Sequence, residues 1–203
     1  MNIKKGLSHL RQVDKKLAKL IDEYGAPEFR EETNYFESLV RAMVYQQLSG
    51  KAASTIYSRF QDLFNGDEYP TPEQVMNKSH DEIRSVGLSN QKANYVHNIA
   101  EAFFNGSIPK DLEKLADDEI INHLTAIKGI GPWTAEMFLM FTLQRPDVLP
   151  VTDLGIQKGM QLFCELDGLP TLEFMMKTAE PWQPYRTVAS WYLWRLVEGP
   201  VEW

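Results

Sequence analysis

Two features of this sequence could carry chemistry. One is Lys128-Gly129-Ile130-Gly131-Pro132, where two glycines flank an isoleucine. Glycine tolerates positive φ, so the pair permits a very tight turn with uncovered backbone amides. Pro132 suits the first position of a following helix, where a missing N–H costs nothing. Such a turn aims amides and a helix N-terminus at one spot, as an anion such as a phosphate requires. Ile130 would anchor the turn in the core. The other feature is Asp153, which follows a loop over 145–152 containing Pro146 and Pro150 and opens an apolar-periodic run. Taken alone, Asp153 reads as a helix N-cap, a task Thr152 could share. A glycine-x-glycine corner taken alone likewise reads as an ordinary turn between helices.

Composition removes several other chemistries. Cys164 is the sole cysteine, so no intrachain disulfide, cysteine-ligated zinc or iron–sulfur cluster can be built. His9, His80, His97 and His123 are scattered, with no pair at metal spacing on one helix. Gly50-Lys51 lacks the upstream glycine of a P-loop. Against 28 acidic residues stand 21 Lys and Arg, a formal net charge of −7. That balance opposes coating of a polyanion and predicts modest, salt-sensitive affinity through a few cations gathered on one face. No apolar run approaches the ~20 residues that span a bilayer, and the charged N-terminus lacks the apolar segment of a signal peptide. The expected place is cytoplasmic and nucleoid-associated in a bacterium or archaeon, nuclear in a eukaryote, with no membrane partner.

The elements that must position these residues read as helical throughout, and the fold class is all-α. Leu7, Leu10, Val13, Leu17, Leu20 and Ile21 recur at three- and four-residue spacing, predicting one amphipathic helix that stops at Gly25. Thr33 caps a second helix, and a third runs from Ser49–Gly50 to Asn65–Gly66. Thr71-Pro72-Glu73-Gln74 and Ser79-His80-Asp81-Glu82 read as capping boxes. Ser89 opens a long helix to Asn105, and Asp117 caps one ending at Ile127. A helix follows from Pro132 to about Leu143, another from Asp153 toward Leu166, and a last one from Tyr185 to Val197.

The full string Leu124-x-x-Ile127-x-Gly129-Ile130-Gly131-x-Trp133-Thr134-Ala135 resembles the helix-hairpin-helix of base-excision glycosylases. Over nearly the whole chain, RAMVYQQLSGKAA, VGLSNQKANYVHNIA, the hairpin, DVLPVTDLGIQKG and PWQPYRTVASWYLWR follow the order of the 3-methyladenine DNA glycosylase II family. The similarity is to compact members without an N-terminal β-rich domain. It implies two helical lobes, one of about 35–143 containing the hairpin 118–143, the other of about 1–34 plus 153–203, with the active site in the cleft between them. It implies a monomer that acts on double-stranded DNA, flips out an alkylated base such as 3-methyladenine or 7-methylguanine and hydrolyses its N-glycosidic bond.

Residue roles follow from the same resemblance. Asp153 matches the catalytic aspartate, while Asp147 is read as a surface loop residue. Trp133 and Tyr185 match positions lining the base pocket, with Phe36 and Trp182 as weaker candidates. Met137 stands where longer bacterial members carry tyrosine, which alters the pocket. Trp191 and Trp194 are assigned to the core. Leu48, at the tip Gln47-Leu48-Ser49, matches the wedge that fills the gap left by a flipped nucleotide. Gln47, Ser49, Lys51, Lys128, Gly129, Ile130, Gly131, Thr134 and Lys158 are the remaining DNA-contact candidates, and Lys92 is a further cation considered for phosphate. No organic cofactor is implied; a structural Na+ or K+ could sit at hairpin carbonyls near Gly129 and Gly131. Relatives with lyase activity carry lysine at the position of Trp133, and tryptophan cannot form their Schiff base. The alternatives are a non-catalytic DNA-binding hairpin protein, a bifunctional oxidised-base glycosylase/lyase, and a helical protein unrelated to nucleic acid.

Overall fold

A computed structural model of the chain describes residues 1–29, 32–64 and 69–198. Among the described residues there are twelve α-helices and no strand: α1 (Ile3–Val13), α2 (Lys15–Tyr24), α3 (Tyr35–Tyr45), α4 (Gly50–Asp62), α5 (Pro72–Met76), α6 (His80–Ser85), α7 (Asn90–Phe104), α8 (Asp117–Thr125), α9 (Pro132–Met137), α10 (Leu154–Cys164), α11 (Leu172–Thr178) and α12 (Arg186–Glu198). Single 3-10 turns occur at Leu112–Lys114 and Glu180–Trp182. The chain divides into two compact units, residues 1–31 with 139–203 and residues 32–138.

In the first unit the long N-terminal helix expected from periodicity is two helices. Asp14 is extended at φ −143°, and its Oδ1 accepts the amides of Lys16 and Leu17 at 2.8 and 3.2 Å. A side chain that caps a new helix outweighs an apolar stripe that would continue the old one. The other Asp14 oxygen accepts the Trp182 indole N–H at 2.9 Å. Leu10, Leu17, Ile21, Ile156, Met160, Val188 and Tyr192 form the core. α10 and α12 pack so closely at Gly159 that a Cβ there would run into the Leu193 carbonyl.

In the second unit α7 lies against α3, α5 and α6. The core includes Leu39, Met43, Phe60, Ile83, Val96, Ile99, Ile120 and Leu124, each contributing about 1.5–3 kcal/mol through burial. Both expected capping boxes form, at Thr71/Gln74 and Ser79/Glu82. Two N-terminal boundaries differ from expectation. Asn34, not Thr33, caps α3, accepting the Glu37 amide at 3.1 Å. Asp117 is the first residue of α8 rather than its cap, and Glu119 reaches back to the Ala116 amide at 2.9 Å. α4 ends at Asp62, and its expected stop at Asn65–Gly66 lies outside the described residues. α9 ends early and gives way to a π-helical turn at Phe138–Thr142.

Candidate functional site

In the first unit Asp153 is the N-cap of α10. Its Oδ1 accepts the Ile156 amide at 2.8 Å, the expected capping bond, and also the Trp194 indole N–H at 2.9 Å. Trp194 is 2% exposed, and the ring of Phe141 lies 6.0 Å from it. Trp194, a core residue by its spacing, is buried and is also a hydrogen-bond donor to the carboxylate. No sequence signal separates it from Trp191, three residues earlier in α12.

The loop leading to Asp153 is tied to the start of α12. The Thr187 hydroxyl donates to the Arg145 carbonyl at 2.6 Å and accepts the Val148 amide at 3.0 Å, while the Thr187 amide donates to the Pro146 carbonyl at 3.0 Å. Asp147 is not a free surface residue. It accepts Arg186 Nε at 2.7 Å and Nη2 at 2.9 Å, a two-pronged pair. Asp147 is thereby tied to Arg186 at the start of α12.

In the second unit the hairpin joins α8 to α9. Only one glycine has positive φ: Gly129 at +111°, while Gly131 at φ −95° is the N-cap of α9. Gly131 faces open space, whereas a Cβ on Gly129 would collide with the Tyr95 ring. Asn98 Nδ2 donates to the Lys128 carbonyl at 2.9 Å. Ile130 is buried and its amide closes the turn onto the Ile127 carbonyl at 3.0 Å, so it braces the hairpin and presents no side chain to a ligand. Thr134, expected to contact DNA, is also buried, and its hydroxyl accepts Gln46 Nε2 at 2.8 Å. Lys128 is exposed.

Between α3 and α4 the chain turns at Gln46–Ser49. Gln47 takes the left-handed conformation, φ +57°, and Leu48 is 39% exposed at the tip. Gln47, Ser49 and Lys51 are exposed beside it. Lys92, considered for phosphate, is engaged within the protein. Its ammonium donates to the carbonyls of Val44 and Gln46 at 2.8 and 2.6 Å and so closes the C-terminus of α3. Lys158 is exposed on α10, in the first unit.

The aromatic candidates divide by burial. Tyr185 is half-buried, its ring 5.5 Å from that of His9 and 3.1 Å from where a Gly6 Cβ would stand. Trp133 is half-buried near the start of α9, and Met137 is buried at its end. Phe36 and Trp182 are corrected to core residues. Phe36 packs edge-on against Tyr69 and Phe103, and Trp182 is fully buried against Phe163. Apolar spacing marks all such rings alike, and only tertiary packing separates them. Among the described residues no group of His, Cys, Asp and Glu could hold a metal ion, and no helix is long and apolar enough to cross a membrane.

Residues 40–184 match the model of the HhH-GPD superfamily base excision DNA repair protein. The chain is similar to DNA-3-methyladenine glycosylase 1 of Schizosaccharomyces pombe, 40% identical over 191 residues, covering 93% of this chain and 84% of that one. Among solved structures it resembles the S. pombe 3-methyladenine DNA glycosylase in complex with abasic DNA, with TM-score 0.85 and 37% identity, covering 98% of this chain and 100% of that one. It also resembles DNA-3-methyladenine glycosidase from Bacillus halodurans, with TM-score 0.82 and 38% identity, covering 94% of this chain and 87% of that one.

Proposed function

This chain belongs to the HhH-GPD superfamily of base excision DNA repair proteins, and from that membership we propose that it is a monofunctional DNA glycosylase that removes alkylated bases, of the 3-methyladenine and 7-methylguanine type, from double-stranded DNA. The observation that carries the reading is that the span of the family match contains both the glycine hairpin and an aspartate fixed on a helix N-terminus, Asp153.

As the C1′–N bond of an alkylated purine breaks, the pair of electrons goes to the base, which departs neutral, and the sugar turns cationic. The Asp153 carboxylate stabilises that cation and takes a proton from the water that adds to C1′. A base already cationic before cleavage needs no separate acid. Trp133 and Tyr185 offer electron-rich faces to such a base. Leu48 fills the vacated stack, with Gln47 and Ser49 beside it. Lys51, Lys128, Lys158 and the amides at Gly129 and Gly131 hold phosphates. With tryptophan at 133 the chain lacks the amine for strand cleavage by β-elimination at that position.

A Na+ or K+ ion at the hairpin carbonyls belongs to the same proposal. The Lys128 carbonyl, which accepts Asn98, keeps a second lone pair for such an ion. Replacing K+ by tetramethylammonium at constant ionic strength should then weaken DNA binding. The protein is expected to act as a monomer, nucleoid-associated or nuclear according to its source.

The test is incubation with duplexes carrying one 3-methyladenine or 7-methylguanine, followed by alkaline cleavage of abasic sites. Wild type should produce abasic sites, and Asp153→Asn should be slower by about 10²–10³-fold. Borohydride should trap no covalent complex. Equal turnover by wild type and Asp153→Asn would refute the assignment of Asp153.

A further inference from the structure

We propose that Trp194 is a positioning residue for the Asp153 carboxylate, and that Gly155 exists to admit its ring. The inference rests on the reading of Asp153 as catalytic. An N-cap needs one bond, and the Ile156 amide supplies it at 2.8 Å. The indole bond to the same oxygen, at 2.9 Å, adds nothing to capping. What it adds is a second direction of restraint. One donor lets a carboxylate swing about its own axis; two donors from different helices fix the plane of the group.

The surroundings are built around that bond. A Cβ at position 155 would stand 2.8 Å from Trp194 Cδ1, 3.0 Å from its Nε1 and 3.0 Å from Asp153 Oδ1. Any side chain there would drive ring and carboxylate apart. One turn later, Gly159 lets α12 approach α10 backbone to backbone. Phe141 packs beside the indole, centroids 6.0 Å apart at 32°. The Trp194 ring is buried, and a buried N–H donor requires an acceptor. A carboxylate held this way meets a developing cation with no reorganisation.

The experiment uses the full chain with Trp194→Phe, which keeps an aromatic ring and removes the N–H. Three quantities are read: single-turnover excision of 7-methylguanine, affinity for DNA carrying a neutral tetrahydrofuran abasic analogue or a cationic pyrrolidine one, and the thermal melt. Excision should fall by about 10–100-fold, since small misplacements of a catalytic group cost that much. Tetrahydrofuran affinity should stay within about twofold, while preference for pyrrolidine falls with the rate. In an Asp153→Asn background, Trp194→Phe should change neither rate nor preference further. Gly155→Ala should reproduce the loss, and it carries the test if Trp194→Phe does not fold. Wild-type rate and pyrrolidine preference in both variants would overturn the proposal, as would a loss of tetrahydrofuran affinity in step with the rate. If wild type excises no alkylated base, the proposed function fails, and the pyrrolidine preference of wild type against Trp194→Phe still decides the role of Trp194.

Discussion

The ring of Tyr95, on α7, occupies the space that a side chain at position 129 would need. Gly129 is thus required twice, by its φ of +111° and by its neighbour. Gly129→Ala should cost about 2–4 kcal/mol through strain and overpacking together. Adding Tyr95→Ala should recover part of that loss, a coupling that a double-mutant cycle by urea denaturation measures. Gly131→Ala, with open space around it and φ −95°, should stay within about 0.5 kcal/mol of wild type. The same change at two glycines of one motif then separates a structural requirement from a surface one.

Two lysines of similar sequence appearance should behave oppositely. Lys92→Met removes the donor to the Val44 and Gln46 carbonyls and should lower stability by about 1.5–3 kcal/mol, leaving the salt dependence of DNA binding unchanged. Lys51→Ala should leave stability unchanged and reduce the slope of log K against log salt by about 0.9, the value for one phosphate contact. Fluorescence anisotropy across a salt series, beside thermal melts, distinguishes them.

What was legible in the sequence divides along physical lines. Local chemistry was readable: Thr71 with Gln74, Ser79 with Glu82, and Asp153 as a cap all act within one helical turn. Where two local signals competed, pattern lost. At Asp14 the apolar spacing continues, yet the side chain starts a new helix. Partnerships across the chain were not readable. Nothing near Trp194 distinguishes a donor to Asp153, 41 residues away, and nothing near Asp147 announces Arg186. Phe36 and Trp182 show the converse, since aromatics suited to stacking a base serve equally well in a core.

Leu48 sits at a turn tip and is 39% exposed. Leu48→Ala should change stability by less than about 0.5 kcal/mol and yet slow excision from duplex DNA. A duplex with an unpaired lesion, where flipping costs less, should show a smaller loss.

Thr187 is fully buried with its hydroxyl shared between Arg145 and Val148. Thr187→Val keeps the shape and removes the acceptor of the Val148 amide and a donor to the Arg145 carbonyl, at a cost of about 1–3 kcal/mol. Thr187→Ser, which retains the hydroxyl, should cost less. Because the loop it ties leads directly to Asp153, the Val variant should also slow excision at temperatures where it remains folded.

Acid stability should depend on Glu82. Hydrogen bonds from the Ser79 amide and hydroxyl, and then from Lys78, hold its carboxyl down to about 2 against an ordinary 4.5. The unfolded chain therefore takes up this proton first as pH falls. The contribution is complete above 4.5 and disappears as pH drops toward about 2. Glu82→Ala should flatten the melting temperature against pH across that window and lower it at neutral pH.

At Gly159 the backbone of α10 bears on the Leu193 carbonyl with no side chain as cushion. The gap between these two rods is consequently a fixed digit, set by main-chain atoms and beyond retuning by exchange of one apolar group for another. A saturation scan of 154–160 read by thermal stability should show a blank column at 159, free choice at exposed Leu154 and Lys158, and apolar residues alone at Ile156 and Met160.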